Sequence, residues 1–372
     1  MDAPKSTELE VHLFGPGYGE CAVIHVGNNE WIVVDSCIAP KTKEPAALRY
    51  FEAIGVNAKE AVKLIVATHW HDDHIRGLAK VLRACEAAEF ACPAALQRRE
   101  FFELIGCYFG PAMMATTGID ELKEIYVEME RRGDGHGLSP LYAIENRKIW
   151  ERRLGPSVRA IALSPSDVSF EKAVAHFASQ LPVANATKPR VRSQNPNHAA
   201  LALRIEVAND SILLGSDLEV VASPVDGWNR VVAVFSNDNP SKVFKVAHHG
   251  SSNAHHDGVW QHMVAKGAIA IMTPFLHGRV VLPKPEDVVR LTTHTAHAFI
   301  TCPPKHLDVK LRDKVASEIM SNVITSPLRS GLPPYGSIRL RHNLSEPTNE
   351  WEIVPFGPAL NLTAVVAKQA VA

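Results

Sequence analysis

The chain has 372 residues, 46% of them hydrophobic and 21% charged, so a sizeable core is available and global disorder is excluded. Lys and Arg total 39 against 40 for Asp and Glu, a formal charge of −1, which excludes a generally basic, nucleic-acid-coating surface and leaves room only for a local basic groove. The length exceeds one minimal domain and fits one large α/β domain with insertions, or two halves sharing an interface.

The N-terminal stretch MDAPKSTELEVHLFG has no basic segment followed by an apolar one, and no 18-residue apolar run occurs anywhere. The expectation is a cytoplasmic protein with no membrane span. Leu9, Val11 and Leu13 alternate up to a GPGYG turn at 15–19. Residues 21–26 read as a strand, 27–29 as a hairpin turn and 31–34 as the next strand, ending at Asp35. Helical spacing covers 44–54 and stops at Gly55. A buried strand at 62–67 runs straight into THWHDDH (68–74), and 78–88 is helical again.

Residues 97–155 differ in texture, rich in charge and aromatics, and read as an insertion with helices at 100–105 and 121–132. Such a segment is either a surface feature or a lid facing substrate. A strand at 158–163, a turn at 164–167, a helix at 170–181 and a polar loop at 185–197 follow. A second α/β section has a hairpin of 200–207 with 211–215, then a strand at 243–247 entering HHGS (248–251). A strand at 268–272 and a helix opening at Pro285 complete it. Residues 337–342 and 351–356 read as a terminal strand pair, and 363–372 as a tail that frays. The expected organisation is a domain over 1–300, with the insertion at about 97–155, and a C-terminal extension over 301–372 packing on it.

Six cysteines, Cys21, Cys37, Cys85, Cys92, Cys107 and Cys302, lie scattered without a CxxC pair and read as reduced, buried thiols. Several of the 18 histidines are bunched. In His69-x-His71-x-Asp73-His74, two histidines at i and i+2 on an extended segment project to one face and can hold one ion. The chain then turns into a helix that carries Asp73 and His74 to a neighbouring spot. Imidazole with carboxylate suits a borderline divalent metal, zinc first.

This run is the signature of the metallo-β-lactamase superfamily. Over most of 9–300 the chain resembles the branch that includes the hydrolase domains of ComEC-like DNA-uptake proteins and the phosphorylcholine esterases. GPGYGECAVIHV and VVDSC near the start, AALALRIE and LLGSD in the middle, and KVAHHGSS later carry the similarity. The resemblance implies an α/β fold, an αββα sandwich with the helical insertion and a C-terminal strand extension, and two metal ions at its open edge. Residue by residue, it assigns Asp35 to a supporting acid behind the metal, His69 and His71 to the first ion, and Asp73 and His74 to the second. Asp217 bridges both. His248 or His249 completes the second ion's ligands, with His248 taken as the ligand and His249 as the proton donor facing substrate. His198 is the candidate third histidine of the first ion.

The implied chemistry is hydrolysis by metal-activated water, with Asp73, Asp217 and His249 as catalytic groups, two zinc ions as cofactors and manganese as an alternative. The branch favours phosphodiesters, and the expected substrate is a nucleic acid or a nucleotide. Ser251 could aid as a hydrogen-bond donor, and Arg76, Lys188, Arg190 and Arg192 place cations near the edge. His277 and Arg279 follow a strand that should end there, and His255 and His256 could touch substrate or sit in a solvated loop. Three other readings stand beside this one: hydrolysis of another ester, lactone or amide; an iron oxidoreductase, disfavoured because His71 is intact; and a metal-stabilised, non-catalytic subunit or sensor of a defence or toxin-type assembly. Homo-oligomerisation or an assembly partner stays open, and no membrane partner is expected.

Overall fold

Two eight-stranded sheets lie face to face, with helices on both outer sides. The structure is a computed structural model that describes residues 1–16, 19–107, 117–133, 140–152, 155–181, 196–277, 280–304, 335–346 and 350–371.

The chain opens with β1 (Glu8–Pro16), β2 (Cys21–Val26) and β3 (Trp31–Val34), then a small hairpin of β4 (Ile38–Ala39) and β5 (Glu44–Pro45). Helices α1 (Ala46–Ala53) and α2 (Ala58–Ala61) lead to β6 (Val62–Val66), and α3 (Asp72–Ile75) and α4 (Leu78–Ala84) to β7 (Glu89–Pro93). Next come α5 (Arg99–Cys107), α6 (Thr117–Arg132) and β8 (Leu141–Ala143). The second sheet begins with β9 (Arg147–Arg152) and β10 (Val158–Ala162), followed by α7 (Asp167–Gln180), β11 (Leu203–Val207) and β12 (Asp210–Leu214). It continues through α8 (Gly227–Phe235), β13 (Ser241–Lys245) and β14 (Val264–Met272) to the hairpin of β15 (Phe275–His277) and β16 (Val280–Leu282). Helix α9 (Pro285–His294) and β17 (Ala298–Ile300) precede β18 (Tyr335–Asn343), β19 (Glu352–Phe356), β20 (Leu360–Asn361) and α10 (Leu362–Val371).

Period-two alternation divides each strand between two cores. On β3, Ile32 and Val34 enter the core between the sheets, while Trp31 and Val33 face the helices. Leu64 and Val66 of β6 face inward and Ile65 faces the helices, while a register shift against β3 places Val62 on the helical side too. The helices bury one stripe each: Leu122, Ile125 and Met129 of α6 against the first sheet, and Trp228, Val231 and Phe235 of α8 against the second. The turn at 27–29 closes through Asn28 and Asn29, both at positive φ, 55° and 57°, the twist-matched geometry of a two-strand hairpin.

The segment expected as an insertion is woven into the frame. Helices α5 and α6 belong to the first helical layer, and β8 and β9 add an edge strand to each sheet. Strand β9 (RKIWER) lacks the apolar alternation that marks a strand in sequence, because it sits at an edge with Arg147 and Lys148 exposed. Arg152, at its end, is buried and donates to the carbonyls of Gly27 (3.1 Å) and Val26 (2.8 Å), tying the second sheet to the first. At the C-terminus, β18 pairs along all of β1 and β19 pairs with β18, while β20 adds to β17. The tail expected to fray is helical over Leu362–Val371, with Leu362 buried. Cys21, Cys37, Cys85, Cys92 and Cys302 are free and buried. No helix among the described residues is long and apolar enough to cross a membrane.

Candidate metal centre

The C-terminal ends of β6, β12, β13 and β14 meet at one edge of the sandwich. The loops after them deliver Thr68 to His74, Ser216 and Asp217, His248 and His249, and Thr273. Strands β12, β13 and β14 are mutually parallel, and the carboxyl ends of parallel strands are where α/β folds gather their sites.

Two donor groups form there. Asp73, His74, Asp217 and His249 each bring a ligating atom within 4.8 Å of the others, and so do His69, His71 and Asp217. Asp217 belongs to both groups. Its Oδ1 lies 3.3 Å from His74 Nε2, and its Oδ2 lies 3.7 Å from His249 Nε2 and 4.0 Å from His69 Nε2. His249 Nε2 is also 3.5 Å from Asp73 Oδ2. His69 Nε2 and His71 Nδ1 face each other at 3.2 Å.

Hydrogen bonds behind the cluster orient the rings. His74 Nδ1 donates to Asp35 Oδ2 at 2.7 Å, and His249 Nδ1 donates to the Thr273 carbonyl at 3.1 Å. Each ring therefore turns Nε2 toward the centre, the arrangement by which outer partners fix a metal-binding tautomer. Asp35 is held in turn by the Thr68 amide (2.8 Å) and hydroxyl (2.7 Å). Buried His74 Nε2, His249 Nε2 and Asp217 Oδ1 have no hydrogen-bond partner. Buried polar atoms without partners are costly, and three converging on one point fit a divalent cation.

The electrostatics agree. Asp35, Glu20 and Asp217 are buried and Asp73 half-buried around this point, with Lys245 as the buried ammonium among them. Burial opposes charge on His74 and His249, yet the Asp217 carboxylate and its neighbours Glu20 and Asp73 raise both imidazoles above their ordinary value. Burial likewise opposes charge on Asp217 and Asp73, but the His74 and His249 imidazoles hold both carboxyls low. In His69 and His71 burial prevails and favours the neutral ring. The pocket thus carries an excess of negative charge that calls for cations.

Backbone strain marks the same residues. Asp35 (φ 60°), Ser216 (47°), His248 (45°) and His249 (54°) all hold left-handed conformations, which cost non-glycine residues energy and cluster at functional sites. Gly19 sits at φ 121°, where a Cβ would stand 1.9 Å from the Asp73 carbonyl oxygen. That close approach lets the Glu20 amide donate to the same carbonyl at 2.8 Å.

Of the residues expected here, the structure brings His69, His71, Asp73, His74, Asp217 and His249 together, with Asp35 behind them. It reverses the expected placement of the histidine pair. His248, taken as the ligand, turns to Asn253 (Nδ1 to Oδ1, 3.0 Å), Glu219 (3.3 Å) and Asn197 (3.4 Å), while His249, taken as the proton donor, faces the donor cluster. Consecutive left-handed residues swing the two rings apart, which a motif string does not reveal. The backbone of His198 lies in the turn Pro196–Ala199, next to the Leu201 amide that donates to the Thr68 carbonyl at 2.9 Å. The side chains of His198 and His277 lie outside the described residues, as do Lys188, Arg190, Arg192 and Arg279. Ser251 lines a small recess with His255, Trp260 and Arg290. Arg76 pairs with Asp72 at 3.6 Å.

Sequence reasoning passed over Glu20, Lys245 and Thr273. Lys245 forms a buried ion pair with Glu20, which accepts from the Thr273 hydroxyl at 2.5 Å and lies 3.6 Å from His74 and 3.8 Å from His249. Burial opposes charge on Glu20, but Lys245 and the two imidazoles hold its carboxyl below the usual range. The available signal was a lysine and a glutamate inside the quoted KVAHHGSS and GPGYGEC segments.

Residues 14–138 match the family model described as Metallo-beta-lactamase superfamily. No curated protein matches the chain. Among solved structures the chain is similar to the metallo-beta-lactamase fold protein YhfI from Bacillus subtilis, at 11% identity over 79% of this chain and 95% of that one, with a TM-score of 0.39. It is also similar to a HARLDQ-motif metallo-beta-lactamase from Cronobacter sakazakii, at 15% identity over 68% and 86% of the two chains, with a TM-score of 0.36. The matched segment is a third of the chain, and it holds the whole HxHxDH run at the end of β6.

Proposed function

We propose that the chain is a binuclear, zinc-dependent hydrolase that cleaves a phosphodiester in a nucleic acid or a nucleotide. The observation that carries this reading is Asp217, one carboxylate shared by two adjacent donor groups. The 3.2 Å between His69 Nε2 and His71 Nδ1 is close to the ligand–ligand edge of about 3.3 Å that zinc–nitrogen bonds of 2.0–2.1 Å give in a tetrahedron. Zinc ions there, or manganese, would supply Lewis-acid activation of water and of the phosphoryl oxygen.

The protein's own groups do the remaining work. His69, His71 and Asp217 would hold one ion, and Asp73, His74, His249 and Asp217 the other. Asp73, half-buried and on the open side, is placed to take the proton of the attacking water. His248 assumes the proton-donor role first given to its neighbour. Its ring lies 6.1 Å from that of His249, is partly exposed and is steadied by Glu219, Asn253 and Asn197, a posture suited to protonating a leaving oxygen. The phosphodiester preference rests on the resemblance carried by KVAHHGSS.

Hydrolysis of bis(p-nitrophenyl) phosphate by zinc- or manganese-loaded protein tests the reading. Metal-dependent turnover should fall at least about a hundredfold in His71→Ala, because even an outer-shell partner can cost that much. No turnover by protein shown to hold both ions would reject the phosphodiester and leave other esters, lactones or amides.

A further inference from the structure

A second set of metal-donor side chains lies on the helical side of the second sheet. His255, Asp257 and His294 each bring one ligating atom within 4.8 Å of the other two. They come from separate pieces of chain: His255 and Asp257 from the loop that follows His-His-Gly-Ser, and His294 from the last turn of α9. His255 Nε2 lies 2.9 Å from Asp257 Oδ1, and the rings of His255 and His294 are 5.2 Å apart.

These side chains are held in place by more than each other. The His294 ring stacks on Trp260 at 4.7 Å and 8°, and Trp260 packs edge-on against Phe244 of the core. The loop is pinned on both sides of His255, by its own amide to the Ser252 carbonyl (3.2 Å) and by His256 Nε2 to Asn229 (3.1 Å). Arg290, the nearby cation, is turned away to Asp287 Oδ1 and to the Gly250 carbonyl, each at 2.7 Å. Burial lowers both His255 and His294 from their ordinary value. Two imidazoles and one carboxylate form a zinc-type set of donors.

We propose that His255, Asp257 and His294 form a separate divalent-cation site, zinc-type by its donors, that fastens α9 to the loop leaving His248 and His249. Binding there stabilises the folded chain by mass action and stiffens the HHGS turn from outside, since Arg290 of the same helix already grips the Gly250 carbonyl. The site stands independently of the chemistry proposed for the main centre.

The test is equilibrium dialysis of the full chain against micromolar free zinc, with metal counted per chain in the wild type, His294→Gln and Asp257→Asn. Each variant should hold one zinc fewer than the wild type and keep the ions of the main centre. Asp257→Asn should weaken the missing site at least about tenfold, the lower end of what an outer-shell partner costs, and added zinc should raise the wild-type Tm more than the variant's. Asp257 is exposed, so this substitution remains decisive if His294→Gln fails to fold. Equal zinc content in wild type and Asp257→Asn would overturn the proposal.

Discussion

Four residues in left-handed backbone, Asp35, Ser216, His248 and His249, each cost about 1–3 kcal/mol, a burden carried where side-chain direction matters. The two histidines separate cleanly by direction, so substitution should separate them by effect. His249→Ala should lose metal along with turnover, whereas His248→Ala should keep its metal and lose turnover alone. Metal analysis beside kinetics decides this, and loss of metal from His248→Ala would restore the assignment read from the sequence. Behind them, the Glu20–Lys245 pair is buried beside His74 and His249. Lys245→Met should destabilise the fold by about 3–5 kcal/mol by stranding a buried carboxylate, and Glu20→Gln in the same chain should return part of that. Strictly additive effects in urea unfolding would show that the two groups do not act as a pair. The metal-binding run was legible because its donors sit within six positions, 69 to 74. Glu20 and Lys245 were not, because the pair joins distant strand ends and a lysine in SKVFK reads as an exposed strand residue.

At the scale of elements, the first turn of α6 braces the metal loop. The Gly118 amide donates to Asp72 Oδ1 at 2.6 Å, and a Cβ on Gly118 would stand 2.4 Å from the Trp70 carbonyl oxygen. Gly118→Ala should push the helix off the loop, lowering metal affinity by about tenfold, as displaced outer partners do. Wild-type affinity in that variant, read by metal titration, would remove α6 from the site. Further round the first sheet, the His25 ring joins β1 to the β2–β3 turn, with Nδ1 donating to the Glu8 carbonyl (2.8 Å) and Nε2 accepting from the Asn29 amide (3.2 Å). Burial lowers its pKa to about 4. The neutral ring's contribution is therefore full above pH 6.5 and is lost as pH falls toward 4, because the unfolded chain takes up the proton first. Between pH 7 and 5 this amounts to about 2 kcal/mol, and His25→Gln should lose that much of the pH dependence in urea unfolding. An unchanged pH profile would contradict it. The apolar runs of β3 and β6 were legible in the sequence as buried strands. The edge strands β8 and β9 were not, since β8 is only three residues long and β9 carries charged edge positions.

For the whole molecule, the resemblance carried by the motif segments implied two sheets with helices outside, and the structure has that form. What order could not convey is how the C-terminal strands enter the frame: β18 runs the full length of β1, a pairing across more than 300 residues of chain. Such non-local pairing leaves no local signature in composition or spacing. The consequence for function is that both sheets end at one edge, where buried carboxylates outnumber their buried ammonium and three polar atoms lack partners. The central claim is that this edge holds two adjacent ions on a shared Asp217. Anomalous scattering at the zinc edge, from crystals of zinc-loaded protein, tests it most directly. The account predicts two neighbouring peaks, one against His69, His71 and Asp217 and the other against Asp73, His74, Asp217 and His249. A single peak, or a peak held by His248 with His249 turned away, would contradict it.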